Sequence, residues 1–435
     1  MPRPRFCLRY NRTINVSQNP HPLCLPRHRP SPRAPAHLPT RQRSARILAG
    51  RRKSLPDLGL RLHAGVPRRG AFCQNRLAGH NLAELSFAGS GQSCWFGFCL
   101  LCFLQIDSRS LFVEKIARLN FAHLPTPIEE LPNLSKTLNG PRIFVKRDDQ
   151  TGLAFGGNKT RKLEFLIAEA REQGADLLIS GGAMQSNHCR QTAAAAARYG
   201  FECKLVLTGV RPEHATANFL LDQLFGAEII TVEDRAFRDE ILQKTFDDAV
   251  AEGKKPYLVP YGGSSPTGAM GYTFAMEEFM QQNVHADWIV FGTSSGGTHA
   301  GLVLGQRLFG YKGKILGISI DEPEEELKSH VSDLASRASE KFGERIQFSR
   351  NDVLATEDYC QAGYGVFGEG EREAIRLFAK HEGLLLDPVY TGRAAAGMIN
   401  LIRKGFFKKD ETILFWHTGG QPALFADKYA EDVVR

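Results

Sequence analysis

The sequence predicts an α/β fold in which mostly parallel sheets are covered by helices and divided into two lobes. Three observations lead there. From residue 115 onward, short apolar runs alternate with amphipathic stretches, a rhythm of strand, helix, strand. The runs are near-continuous Val, Ile and Leu, as strands buried on both faces require. The rhythm persists for about 320 residues, more than one sheet ordinarily organises.

The elements follow in order. Arg142–Arg147 (RIFVKR) reads as a strand, and Leu163, Leu166, Ile167 and Ala170 form a helical stripe. Asp176–Ser180 is a strand, and a helix runs through Ala193–Arg198. Cys203–Thr208 and Glu228–Val232 are strands separated by helical Ala217–Phe225. Further strands fall at Pro256–Pro260, Asp287–Gly292, Lys314–Ile320 and Thr412–His417, with helical segments between them. In such sheets ligands sit at the carboxyl ends of the strands.

The first hundred residues differ in kind. Residues 1–105 carry 16 Arg and 1 Lys against Asp57 and Glu84, a net of +15, so the remainder is mildly acidic at −7. They also hold 11 of the 22 prolines and lack sustained apolar periodicity, which predicts a largely disordered basic extension. No nucleic-acid-binding motif accompanies the positive charge. The run CWFGFCLLCFL (Cys94–Leu104) is too short to span a bilayer. An Arg-rich, acid-poor leader fits an organellar transit peptide, which would place the protein in mitochondria; a plain extension or an untranslated upstream stretch leaves it cytoplasmic. After residue 105 only Cys189, Cys203 and Cys360 remain, without metal-ligand spacing, so a reduced protein with no metal is expected.

Two glycine-rich loops carry the chemistry. In TGLAFGGNKTRKLEFL (Thr151–Leu166), glycines stop and a helix starts at a lysine. A nucleotide-binding P-loop would place Lys and Thr directly after the second glycine; Asn158 intervenes and shifts Lys159 around the first helical turn. The better phosphate cup is DWIVFGTSSGGTHAG (Asp287–Gly301), a strand, a small-residue turn and a helix start. Its backbone N–H groups and helix dipole favour an anion, and Ser295 and Thr298 add hydroxyls. The cup itself contains no lysine. A phosphate cup and a distant lysine together suit pyridoxal phosphate (PLP), held by its phosphate and joined to the lysine as an imine.

The segments HLPTPIEEL, VKRDDQTG, GGNKTRKLEFL, QSNHCRQTAAAAA, GGSSPTGAMGY, SSGGTHAG, GYGVF, DPVYTGRAAAGM and HTGGQPALF occur in this order between about residues 115 and 430. On them the chain resembles the D-cysteine desulfhydrase and 1-aminocyclopropane-1-carboxylate deaminase family, PLP enzymes of the tryptophan-synthase β type. The resemblance implies a large PLP-binding domain of residues 106–160 and 276–435, a small domain of 161–275, and a homodimer. It makes Lys159 the Schiff-base lysine, with Asn158 beside it fixing the ring or its imine. Ser295, Gly296, Gly297 and Thr298 would hold the phosphate. Ser186, Asn187 and His188 would face the substrate carboxylate, and Tyr364 and Tyr390 would flank the reacting carbon. From the residues alone, the two tyrosines read rather as half-buried core aromatics.

Two departures bear on the reaction. The deaminase members carry Glu after the tyrosine of DPVY and Leu at the Thr of HTGG; here these are Thr391 and Thr418. A hydroxyl beside the pyridine nitrogen leaves the ring a weaker electron sink than a carboxylate does. Expelling thiolate or sulfite from Cβ tolerates that; opening a cyclopropane does not. The expectation is therefore β-elimination from a small amino acid: D-cysteine to pyruvate, ammonia and hydrogen sulfide. L-cysteate sulfo-lyase and 1-aminocyclopropane-1-carboxylate deaminase are the enzymatic alternatives, and a protein that binds PLP or another phosphorylated ligand without turnover is the non-enzymatic one. No nucleic-acid or membrane partner is expected.

Overall fold

The computed structural model describes residues 116–434; the readings placed on residues 1–105 lie outside the described residues. Two sheets form. The larger has six strands in the order β1-β2-β10-β7-β8-β9, and the smaller has four in the order β5-β4-β3-β6.

The large sheet comprises β1 (Ile128–Glu130), β2 (Arg142–Lys146), β7 (Trp288–Thr293), β8 (Lys314–Ser319), β9 (Leu354–Thr356) and β10 (Thr412–Trp416). All its pairings are parallel except the antiparallel edge pair β1–β2. Strand β10 lies between β2 and β7, and Ile413, Leu414, Phe415 and Trp416 are all fully buried. That is why its sequence is apolar without alternation. The small sheet comprises β3 (Leu177–Ala183), β4 (Glu202–Thr208), β5 (Glu228–Val232) and β6 (Pro256–Leu258), parallel throughout. Its edge strand β5 is only half-buried, with Glu228 and Thr231 exposed and Ile229, Ile230 and Val232 partly covered.

Every strand expected from the sequence is present, within one to three residues at either end. Strands β1 and β9 were not foreseen. Each has three residues, too few for a periodic signal, and each exists because a neighbouring strand offers it a ladder.

Helices cover the sheets. After α1 (Pro132–Leu138), helix α2 (Asn158–Glu172) buries Leu163, Leu166, Ile167 and Ala170, the stripe read from the sequence. Helix α3 (Asn187–Tyr199) buries Ala193–Ala196, whose small side chains allow close approach to β3 and β4. Helices α4 (Ala217–Leu224), α5 (Arg238–Ala251) and α6 (Pro266–Gln281) follow. Helix α7 (Gly297–Phe309) leaves the carboxyl end of β7, and α8 (Glu324–Glu340) and α9 (Glu369–Glu382) come after it. Helix α10 (Thr391–Arg403) adds Ala394, Ala395, Met398, Ile399 and Ile402 to the core of the large sheet, and α11 (Asp427–Val434) ends the described chain. No helix among the described residues is long and apolar enough to cross a membrane.

Candidate active site

The backbone between Gly152 and Gly157 is bent sharply. Gly152, Ala154, Phe155, Gly156 and Gly157 all have positive φ. At Gly156 a Cβ would lie 2.1 Å from the carbonyl oxygen of Asp149, so only glycine fits. The bend delivers Asn158 and Lys159 to the first turn of α2, facing a cleft of about 630 Å³.

Lys159 Nζ donates to the carbonyl oxygen of Gly262 at 3.0 Å, and Lys162 Nζ, one turn later, donates to the same oxygen at 3.1 Å. Burial pushes the Lys159 amine down to about 8. Burial and the neighbouring Lys159 charge push Lys162 well below the ordinary lysine value. At Gly262, where φ is +63°, a Cβ would lie 2.2 Å from Ser295 Oγ and 3.4 Å from Lys159 Nζ. Lysine and cup, over a hundred residues apart in sequence, thus meet across one glycine.

The cup is the turn from β7 into α7. Gly296 has φ +75°, and Gly297 starts the helix. Ser264 Oγ lies 2.8 Å from Ser295 Oγ and accepts from the Gly297 N–H at 3.0 Å. Thr298 Oγ1 accepts from Asn158 Nδ2 at 3.0 Å, so the first turns of α2 and α7 are joined side chain to side chain. A Cβ on Gly297 would lie 3.0 Å from Lys162 Nζ. The cup that carries no lysine of its own therefore has one supplied by α2.

A third wall is the start of α3. Ser186 caps it, accepting from the Cys189 N–H at 3.2 Å. Asn187 Oδ1 accepts from Asn218 Nδ2 at 2.9 Å and from Arg190 Nη1 at 3.2 Å. His188 Nε2 lies 2.9 Å from Ser180 Oγ, which donates to the Val259 carbonyl oxygen at 2.9 Å. Both contacts are satisfied together only when His188 is protonated on Nε2, which leaves Nδ1 a bare acceptor. Burial first, then the Lys159 and Lys162 charges, hold His188 neutral. Cys189, next in sequence, is fully buried with its thiol pushed up by burial, a packing residue.

Tyr390 and Thr418 complete the cleft. Tyr364 is not on the cleft wall but lies one hydrogen bond behind it, its hydroxyl 2.8 Å from that of Tyr390. Burial raises both phenols well above the usual tyrosine value. Thr391 is also away from the wall, fully buried at the start of α10. Its hydroxyl donates to Asp387 Oδ1 at 2.7 Å, while Asp387 Oδ2 accepts from the Tyr390 N–H at 2.9 Å. Asn158, Lys159, Ser186, Asn187, His188, Ser295, Gly296, Thr298, Tyr390 and Thr418 all line the one cleft, and Gly297 adjoins it through Ser264 and Lys162.

Sequence reasoning missed Lys162, Tyr261 and Gly262, which also line the cleft. Lys162 had a signal, since i and i+3 share a helix face with Lys159. Tyr261 and Gly262 lie in a loop whose place in the site depends on how the two sheets come together.

These residues fit a phosphate-bearing aldehyde. The turn at Gly296 offers backbone donors and a helix start, Lys162 adds a cation, and Lys159 presents an amine at contact distance from the same wall. The lining contains no Asp or Glu.

Comparisons with known proteins agree. The family of pyridoxal-phosphate dependent enzymes matches residues 119–419. D-cysteine desulfhydrase from Salmonella typhimurium (strain LT2) is 43% identical over 322 residues, covering 72% of this chain and 97% of that protein. The protein of the same name from Salmonella typhi is 42% identical over the same shares. Among solved structures, an ACC deaminase homologue is 36% identical with a TM-score of 0.69, covering 75% of this chain and 98% of its own. The processed form of threonine deaminase isoform 2 from Solanum lycopersicum, 18% identical with a TM-score of 0.54 over 76% of this chain and 88% of its own, shares the fold.

Proposed function

Because the chain belongs to the family of pyridoxal-phosphate-dependent enzymes, we propose that it is a carbon–sulfur lyase converting D-cysteine to pyruvate, ammonia and hydrogen sulfide. The observation that carries the reading is the meeting of Lys159 with the Ser295–Thr298 turn in a cleft without a carboxylate. When bound, the cofactor supplies an electron sink for the charge left on Cα. The rest is done by side chains.

We assign Lys159 as the covalent anchor and as the base at Cα. With its amine held near 8, a useful fraction is unprotonated near neutral pH and can accept the Cα proton, whereas a lysine at its free value is almost wholly protonated. Ser295, Gly296, Gly297, Thr298 and Lys162 hold the phosphate, and Asn158 ties the anchor's helix to that turn. Ser186 and Asn187, at the positive end of α3, orient the substrate carboxylate. His188 offers a neutral acceptor beside them. Tyr390, backed by Tyr364, remains protonated and can donate to the departing sulfur. Thr391 acts indirectly: through Asp387 it fixes the backbone of Tyr390. Thr418, where the deaminases carry Leu, would give the cofactor's ring nitrogen a hydroxyl, and Thr391 leaves no carboxylate where they carry Glu. The sink is then weak enough to favour loss of thiolate, a good leaving group, over opening a cyclopropane. The proposed domains are 161–275 small and 106–160 with 276–435 large, and residues of both line the cleft. We propose a cytoplasmic homodimer, to be checked by light scattering and by fractionation of expressing cells.

The test is release of pyruvate and sulfide from four candidates: D-cysteine, L-cysteine, L-cysteate and 1-aminocyclopropane-1-carboxylate. D-cysteine is expected to give the highest kcat/KM. Preferred ring opening would refute the argument from Thr418.

The depressed Lys159 amine makes a separate prediction. Only the neutral amine attacks an aldehyde, so loading of cofactor-free protein should speed up as pH rises through about 8 and level off above it. Stopped-flow absorbance checks this. A rate still climbing steeply toward the ordinary lysine pKa of about 10.4 would contradict it.

A further inference from the structure

Asp321 lies just past the carboxyl end of β8, the end of a parallel strand where ligands gather. Its side chain is only 6% exposed, and neither carboxylate oxygen takes a hydrogen bond. Its ionic neighbour is Arg235 Nη1 at 3.8 Å, on a side chain that is 57% exposed. A buried carboxylate without hydrogen bonds is costly and calls for a reason.

The surroundings supply one. Ile320, the preceding residue, brings Cδ1 within 3.3 Å of where a Cβ on Gly292 would lie, and Gly292 lines the cleft. Arg235 lines an outer basin that shares Tyr261 and Ser295 with the cleft. After burial, the Asp321 charge is among the causes that raise the phenols of Tyr261, Tyr364 and Tyr390. Two of those rings, Tyr261 and Tyr390, are cleft wall. Lys159 and Lys162 both donate to the carbonyl oxygen of Gly262, the residue after Tyr261. The two lysines thus lie beside the phosphate cup, and the Asp321 carboxylate lies outside the cleft wall, past the end of β8. Arg235, in the turn before α5, and Arg238, the first residue of α5 and stacked 4.6 Å over the Tyr261 ring, face Asp321's end. Arg235 is largely in water and screened, whereas Asp321 is dry, so the carboxylate's field dominates inside.

We propose that Asp321 is a specificity-determining residue whose charge selects substrates with a neutral β-substituent, such as a thiol, and rejects sulfonate, sulfinate and carboxylate. This rests on the lyase reading only in placing the β-substituent at the tyrosine end. It predicts that cysteate is a poor substrate for a reason separate from its leaving group.

The test uses holoenzyme and a near-isosteric pair, D-asparagine and D-aspartate, with binding read from the change in cofactor absorbance. Wild type should bind D-asparagine on the order of tenfold more tightly than D-aspartate. Asp321→Asn should remove most of that preference, and Asp321→Glu should keep it. Arg235→Gln, at an exposed position, should widen it severalfold by unmasking the carboxylate, and it decides the matter if Asp321→Asn does not fold. Ratios unchanged in the variants that fold overturn the proposal. Sulfide release from D-cysteine by wild type is scored separately. Its absence would count against the lyase reading, while the binding ratios would still judge Asp321.

Discussion

Lys159→Ala is expected to abolish turnover, with a loss of at least about a thousandfold, and to remove the visible absorbance of lysine-bound cofactor. Two lysines share the Gly262 carbonyl, so the prediction is sharpest when both are changed separately. Lys162→Ala should keep the visible band but release the cofactor more readily, because Lys162 Nζ lies toward Gly297 and the cup. The roles are separable by dialysis and absorbance without any activity measurement. A Lys159→Ala protein that stays yellow and active would mean the anchor is misassigned.

The second large effect is on stability. Arg161 is buried and grips Asp148 with Nε at 2.9 Å and Nη2 at 2.8 Å, and Glu278 with Nη1 at 2.9 Å. Tyr272 and Trp416 donate to the same Asp148 at 2.6 and 2.8 Å. Lys146, also fully buried, pairs with Glu278. The cluster binds β2, α2, α6 and β10 together. Burial alone would raise the Asp148 carboxyl, but Arg161 and Lys146 overrule it and hold it at about 2. Arg161→Met leaves two carboxylates without their shared cation and should cost about 3–5 kcal/mol, read from denaturant unfolding. A loss under about 1 kcal/mol would show that the cluster reorganises freely. The sign with pH follows from the depressed carboxyl. Its contribution is complete above the ordinary Asp value of about 3.9 and is lost as pH falls toward 2, a loss that Arg161→Met should lack. Because Arg161 sits two residues from Lys159 on α2, the variant should also retain cofactor less well.

Much of this was legible in the sequence, for local reasons. The strands announce themselves as apolar runs, and the stripe of Leu163, Leu166, Ile167 and Ala170 becomes the buried face of α2. The two glycine loops mark a helix-start lysine and an anion cup before any contact is known. Where the sequence was silent, the signals were short or distant. Strands β1 and β9 have three residues each and are made by their neighbours. Tyr364 and Thr391 sit behind the wall because the Tyr390 hydroxyl and Asp387 take up their hydroxyls, which no spacing rule foretells.

By itself, the order of residues determined the fold class, the lysine at a helix start, the glycine-rich turn and the two threonines where the deaminases carry Glu and Leu, since each is carried by a side-chain period or a short motif. Only the tertiary structure decided that Lys162 reaches the Gly297 turn, that Gly262 joins lysine to cup, and that the buried Asp321 carboxylate takes no hydrogen bond. Those facts arise where two sheets bring together residues about a hundred positions apart, and distances of that kind are set by packing, not by local pattern.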